Sequence, residues 1–278
     1  MRTASLGTLL FCVLLMYAGP SGAQTDTLRL AKEAAFIFRG EVQGATAGRG
    51  MELPPRGIIV RVLEVLYVKP TVAVRKGDLV VVQTVAASRP AAGTRAVFYT
   101  NGWIYGRQLT VRELGETADV TASSTEAKQQ IAQAKAAAED DLVRERLSDA
   151  VLVVAGTVRS VRVFEEARTR SPVSEHSADW WLAEVAVTRT LKGEAPKGGV
   201  LIAFPTSKDV MWAESPRFKA GEEGIWILHR PKSLAGIFEN SQGPVYTAIN
   251  RRDFQGSKDI EHVAGLLRQP SPNPAARP

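Results

Sequence analysis

The chain repeats itself. Phe36-Ile37-Phe38-Arg39-Gly40 is matched by Leu152-Val153-Val154-Ala155-Gly156, an apolar run closed by glycine. Val60, Val62 and Leu66 are followed at similar spacing by counterparts Val185, Val187 and Leu191. Lys76-Gly77 and Lys197-Gly198 each precede an apolar stretch, "LVVVQT" and "VLIAF". Ala92-Gly93 and Ala220-Gly221 lead into "AVFYT" and "GIWIL". One such match is cheap, but a series in one order is not. The 278 residues therefore hold two copies of one fold, and any architecture must be buildable twice.

Each copy reads as five strands, because short β-branched and aromatic runs alternate with turn residues. In the first copy they fall near 35–43, 57–67, 78–84, 95–100 and 104–112, with Asn101-Gly102 as a tight hairpin turn. In the second they fall near 150–163, 179–191, 199–204, 223–229 and 244–250. Gly40 and Gly156 sit inside strands, where glycine marks a bend or bulge. From Leu152 to Val163 the apolar phase slips from even to odd positions, and side chains alternate faces strictly, so a bulge is required. A weak helix is expected near 27–33. A strong one near 124–147 has Ser123 and Glu126 at capping-box spacing. A third helix is expected near 257–267.

Five strands with a bent first strand predict a small barrel of the OB type. The fold class is thus mainly β with helices: two tandem five-stranded OB-like barrels, a long linking helix and a C-terminal helix. The pattern of "G-x-V", then "V-x-V" running to "TLKG", then "GIWIL", resembles exported bacterial proteins with OB-like domains, similar in fold to the netrin-like and metalloproteinase-inhibitor family. Inhibitors of that family use an N-terminal cysteine on the protease metal and cysteines that staple the barrel. The only cysteine here is Cys12, so the resemblance implies a fold and no activity.

Residues 1–23 have the layout of a secretory signal: Arg2, an apolar run from Leu9 to Ala18, a Gly19-Pro20 break and small residues Ser21-Gly22-Ala23. Cleavage is expected between Ala23 and Gln24. The apolar run is too short to span a bilayer, so no transmembrane segment is expected after signal removal. Cys12 lies inside the signal, and the mature chain has no thiol for disulfides, nucleophilic catalysis or metal binding. The expected organisation is signal 1–23, OB-like domain 24–122, linking helix 123–148, OB-like domain 149–268 and a Pro-rich disordered tail 269–278.

No spacing of reactive residues marks an enzyme. His176, His229 and His262 are far apart and read as surface or rim histidines, so neither metal nor cofactor is expected. There is no activated-serine elbow, phosphate loop or dinucleotide fingerprint. Glu139-Asp140-Asp141 occupy successive helical positions and point apart, while Glu165-Glu166 and Glu222-Glu223 read as loop carboxylates. The net charge of +6, one unit of it from Arg2, is modest and interleaved with acids, which argues against specific nucleic-acid binding.

Aromatic residues offer the candidate contacts. Trp180-Trp181 open a strand, so one ring faces inward. Trp181 shares its face with Val185 and Val187, which leaves Trp180 exposed or covered by the other domain. Trp103 and Tyr105 share a face, and Trp212 lies in the loop "PTSKDVMWAESPRF". Loops carried on rigid scaffolds concentrate binding, so Trp212 leads, with Trp180, Trp103 and Tyr105 behind it. The expected function is an exported, non-catalytic binding protein of the cell envelope, periplasmic or extracellular, whose partner is a protein or glycan. The alternatives are a protease-inhibitor-like protein, a nucleic-acid-binding OB protein and a hydrolase.

Overall fold

The structure is a computed structural model that describes residues 22–46, 52–70, 72–85, 90–105, 108–118, 123–170, 177–207, 209–231 and 244–269. The expected signal as far as Ser21, His176 and the tail beyond Gln269 lie outside these residues; Ala23 and Gln24 fall in the first turn of helix α1 (Gly22–Glu33). Packing divides the chain into two compact units within helix α2 (Ser124–Asp149), between Ala136 and Ala137.

Unit 1 is a closed barrel. Its strands are β1 (Phe36–Gly44), β2 (Gly57–Val68), β3 (Leu79–Gln83), β4 (Arg95–Tyr105) and β5 (Gln108–Ala118), in the order β1-β2-β3-β5-β4, with β4 pairing back onto β1. Neighbours are antiparallel except β3 and β5. Alternation of side chains sends Phe36, Phe38, Val60, Val82, Phe98 and Val111 inside. The ring of Phe38 stacks on Phe36 at 4.4 Å and on Phe98 at 5.3 Å. On the outer face, Leu30 and Ala31 of α1, Ala34 just after it, and Ile131 and Ala134 of α2 cover Ile37, Val97 and Tyr99.

Unit 2 is a curled six-stranded sheet. It comprises β6 (Leu152–Val163), β7 (Trp180–Lys192), β8 (Val200–Pro205), β9 (Glu223–Leu228), β10 (Val245–Thr247) and β11 (Phe254–Gly256), ordered β10-β8-β7-β6-β9-β11. Its outer face is covered by Val143 and Leu147 of α2 and by Val263 and Leu266 of α4 (Ile260–Leu267). Each unit thus carries one helix before and one after its strands, and α2 supplies the second helix of unit 1 and the first of unit 2.

The copies agree in detail. Strand β1 slips register against β2 after Ile37, Arg39 and Val42; β6 slips against β7 after the corresponding Val153, Ala155 and Val158. The bulge required by the phase slip is the last of these. Gly93 and Gly221 hold φ of 86° and 81°, a left-handed turn that glycine adopts freely. Each donates its N–H at 2.8 Å to the first strand, to the carbonyls of Val42 and Val158.

The expected fold class holds, unit 2 being a curled half-barrel, and two local expectations are corrected. In unit 2, β10, the counterpart of β5, is three residues long and among the described residues meets the end of β9 through the His229–Thr247 bridge. The short β11 takes the remaining edge of β9. Asn101-Gly102 is no hairpin turn, since β4 runs through it and Asn101 and Gly102 pair with Arg112 and Val111. The Asn101 carboxamide oxygen instead accepts from the N–H of Ala35 at 2.9 Å, so a residue favoured in turns is used to tie the start of β1. Finally, Glu165-Glu166 open a short helix, α3 (Glu165–Arg170), rather than a loop.

Candidate interaction surface

The described loop that exposes consecutive large apolar side chains is the one between β8 and β9 in unit 2. The chain leaves the sheet at Pro205 and re-enters the core at Phe218, whose ring packs on Phe204 at 4.9 Å, Phe254 at 5.4 Å and Trp226 at 6.0 Å. Between these points a single 3-10 turn forms over Val210–Trp212. Asp209 caps it: its carboxylate accepts from the N–H of Met211 at 2.7 Å, satisfying a donor the short turn leaves over. Ser215 donates through Oγ to the carbonyl of Ile249 at 2.7 Å, and Arg217 reaches back to the carbonyl of Ser207 at 3.0 Å.

Trp212 faces inward. Its ring meets that of Trp180 edge-on at 5.8 Å, an orientation the ring quadrupoles favour. The residues left pointing out are Val210, 85% exposed, and Met211, 61% exposed. A strongly exposed apolar pair costs solvation and gains nothing for the fold. It is held between the Asp209 cap and the partly buried Trp212, so little conformational freedom remains to be lost on contact. Trp212, the largest apolar residue of this loop and the leading candidate contact, packs at the edge of the Trp180 cluster, and Val210 and Met211 are the apolar side chains left outward.

Trp180 is not exposed: unit 2 itself buries it. It is buried against Phe164 and Ala167, with Trp212 packed at the edge of the same cluster, so α3 covers the outer face of β7 where a loop was expected. Trp181 packs with Val185 and Val187 on the inner cluster, as its phase requires. Trp103 and Tyr105 lie opposite Thr110 and Gln108 in the β4–β5 ladder; their side chains are outside the described part.

Behind the loop is a buried ionic tie that sequence spacing gave no means of finding. Asp253 is fully buried. Its carboxylate accepts from Arg146 Nε at 2.8 Å and Nη2 at 3.1 Å, and from the N–H groups of Ile249 and Asn250 at 3.0 and 2.9 Å. His229 Nε2 stands 3.4 Å from Oδ1, at the long edge of hydrogen bonding, so His229 is no surface histidine. Burial alone would push this carboxyl up; the His229, Arg146 and Asn250 interactions outweigh it and hold Asp253 below the usual carboxylate range. Arg146 of α2 thus fixes Asp253, which fixes the 249–250 backbone, to which Ser215 ties the loop.

The acidic run on α2 spreads as expected. Glu139 pairs with Arg252 at 2.7 Å, Asp140 with His262 at 2.8 Å and Asp141 with Arg144. Among the described residues, no three His, Cys, Asp or Glu side chains converge as metal ligands would. No described helix is long and apolar enough to cross a membrane. No protein-family model and no curated protein sequence matches this chain.

Proposed function

We propose that this is an exported, non-catalytic binding protein of the cell envelope, and that unit 2 engages a protein partner through Val210 and Met211. The carrying observation is the exposure of this pair on a loop that hydrogen bonds of Asp209, Ser215 and Arg217 anchor. Contiguous exposed apolar groups mark interaction sites, and methionine adapts its shape to an apolar groove. The closed barrel of unit 1, with β3 and β5 parallel, is compatible with an OB-like ancestor, and kinship with the netrin-like proteins belongs to the same proposal. Export rests on the signal-like residues 1–23.

The test is a Val210→Ser, Met211→Ser double variant. Both side chains are exposed, so its stability should stay within about 0.5 kcal/mol of the parent. A binding partner that co-purifies with the parent should be lost with the variant. Retention of every such partner by the variant would refute the proposal.

A further inference from the structure

The two units share a register, so their corresponding ends can be compared residue by residue. The pairs Val60–Val80 and Val185–Val200 align β2–β3 with β7–β8, and Val82–Val111 and Ile202–Tyr246 align β5 with β10. On this alignment the end of the unit 2 sheet is plugged. Trp181 and Phe204 fill it, Ala203 is fully buried on the other face of the sheet, with Trp180 and Leu182, and Ala248 is fully buried beside the two filling rings. In unit 1 the same positions are Arg56, Thr84, Gln83 and Glu113, and Arg112 stands in the place of Thr247. Instead of a plug there is a cleft of about 290 Å³, lined by Pro55, Arg56, Gln83, Thr84, Val85 and Arg112. The fold does not require charged residues here, since its own second copy does without them.

The cleft is also built. Arg56 is the described non-glycine residue with a left-handed backbone, φ 59°, a conformation its β-carbon disfavours. Its carbonyl accepts from both the N–H and the hydroxyl of Thr84 at 3.2 Å. Gln83 donates to the carbonyl of Pro55 at 3.3 Å. Glu113, 4% exposed, accepts from the N–H of Val85 at 3.1 Å and so pins the strand end. Strain kept at a cleft directs attention to function: glycine would sit at position 56 without cost, yet an arginine is there.

The geometry points to an anion-binding site at this open end of unit 1, in which the guanidinium groups of Arg56 and Arg112 clamp a carboxylate or phosphate group of a small ligand. Guanidinium is the side chain best matched to either oxyanion, through paired N–H donors. Glu113 is a positioning residue: it holds Val85 and thereby the wall of the cleft. This site is independent of the Val210–Met211 surface.

The test is a titration of the 15N-labelled mature protein with sodium acetate and, separately, sodium phosphate, at ionic strength held constant with sodium chloride. Saturable amide shifts centred on Gly57, Thr84, Val85 and Arg112 are expected with at least one of the two, and the one that saturates identifies the class. Arg56→Gly should weaken binding about tenfold or more, the loss expected for one charge-assisted hydrogen-bonding group. Its melting temperature should hold or rise, because the strain is relieved. Arg112→Gln, with an ordinary backbone, should lose binding to a similar extent. Absence of saturation with both anions would overturn the proposal, as would parent-like affinity in the two variants.

Discussion

Asp253 and Glu113 are both buried carboxyls, and their surroundings drive them in opposite directions. Asp253 is held below the usual range, so it binds its proton less tightly folded than unfolded. Its contribution is complete above the ordinary carboxylate range and is lost as pH falls through the folded value. Burial pushes Glu113 up, helped by the charge of Glu116 and opposed by the Val85 N–H, so the folded protein holds that proton more tightly. Glu113 therefore favours folding at acid pH and loses that advantage as pH rises through the folded value. Asp253→Ala should cost about 3–5 kcal/mol at neutral pH, because it strands the Arg146 charge. Urea unfolding across about pH 3 to 7 should show the acid-side loss of stability shrink in Asp253→Ala and the alkaline-side loss shrink in Glu113→Gln. None of this was legible in the sequence. Arg146 and Asp253 are 107 positions apart, and no local spacing relates them.

At the scale of elements, periodicity carried most of the reading. It placed most strands of both copies, the slip in β6 and the capped start of α2, where Ser123 and Glu126 exchange hydrogen bonds at 3.3 Å. It put the fifth strand of unit 1 near 104–112, where β4 still runs to Tyr105 and β5 begins at Gln108, and it gave no sign of β11. It failed where a local signal met a stronger tertiary one. Asn101-Gly102 reads as a turn, but the ladder with β5 runs through it and keeps it extended. The strand glycines have a checkable purpose. A β-carbon at Gly40 would meet the Val60 side chain, while one at Gly156 would meet the backbone carbonyl of Ala186. A side chain can move aside and a paired backbone cannot. Gly40→Ala should cost about 1–3 kcal/mol, the range for overpacking, and Gly156→Ala should cost more. Denaturant midpoints of the two variants decide it, and equal losses would mean that the bulge yields as easily as a side chain.

For the whole molecule, the duplication was visible from ordered landmarks alone, and the sharing of α2 between the copies was not, because its capping box marks where the helix starts and not what its two halves cover. Among the described residues, the units depart from the common plan at one end: unit 2 fills it with Trp181 and Phe204 and presents an anchored apolar loop, and unit 1 has a cleft there lined by Arg56, Gln83, Thr84 and Arg112. That Val210 and Met211 form a partner-binding surface is the central claim. It is tested most directly by placing a photo-crosslinking residue at position 211 in the producing cell, with position 258, on an exposed polar turn of the same unit, as control. The expected result is one discrete adduct from position 211, absent from position 258 and abolished by Val210→Ser. No adduct from position 211, or the same adducts from both positions, would contradict it.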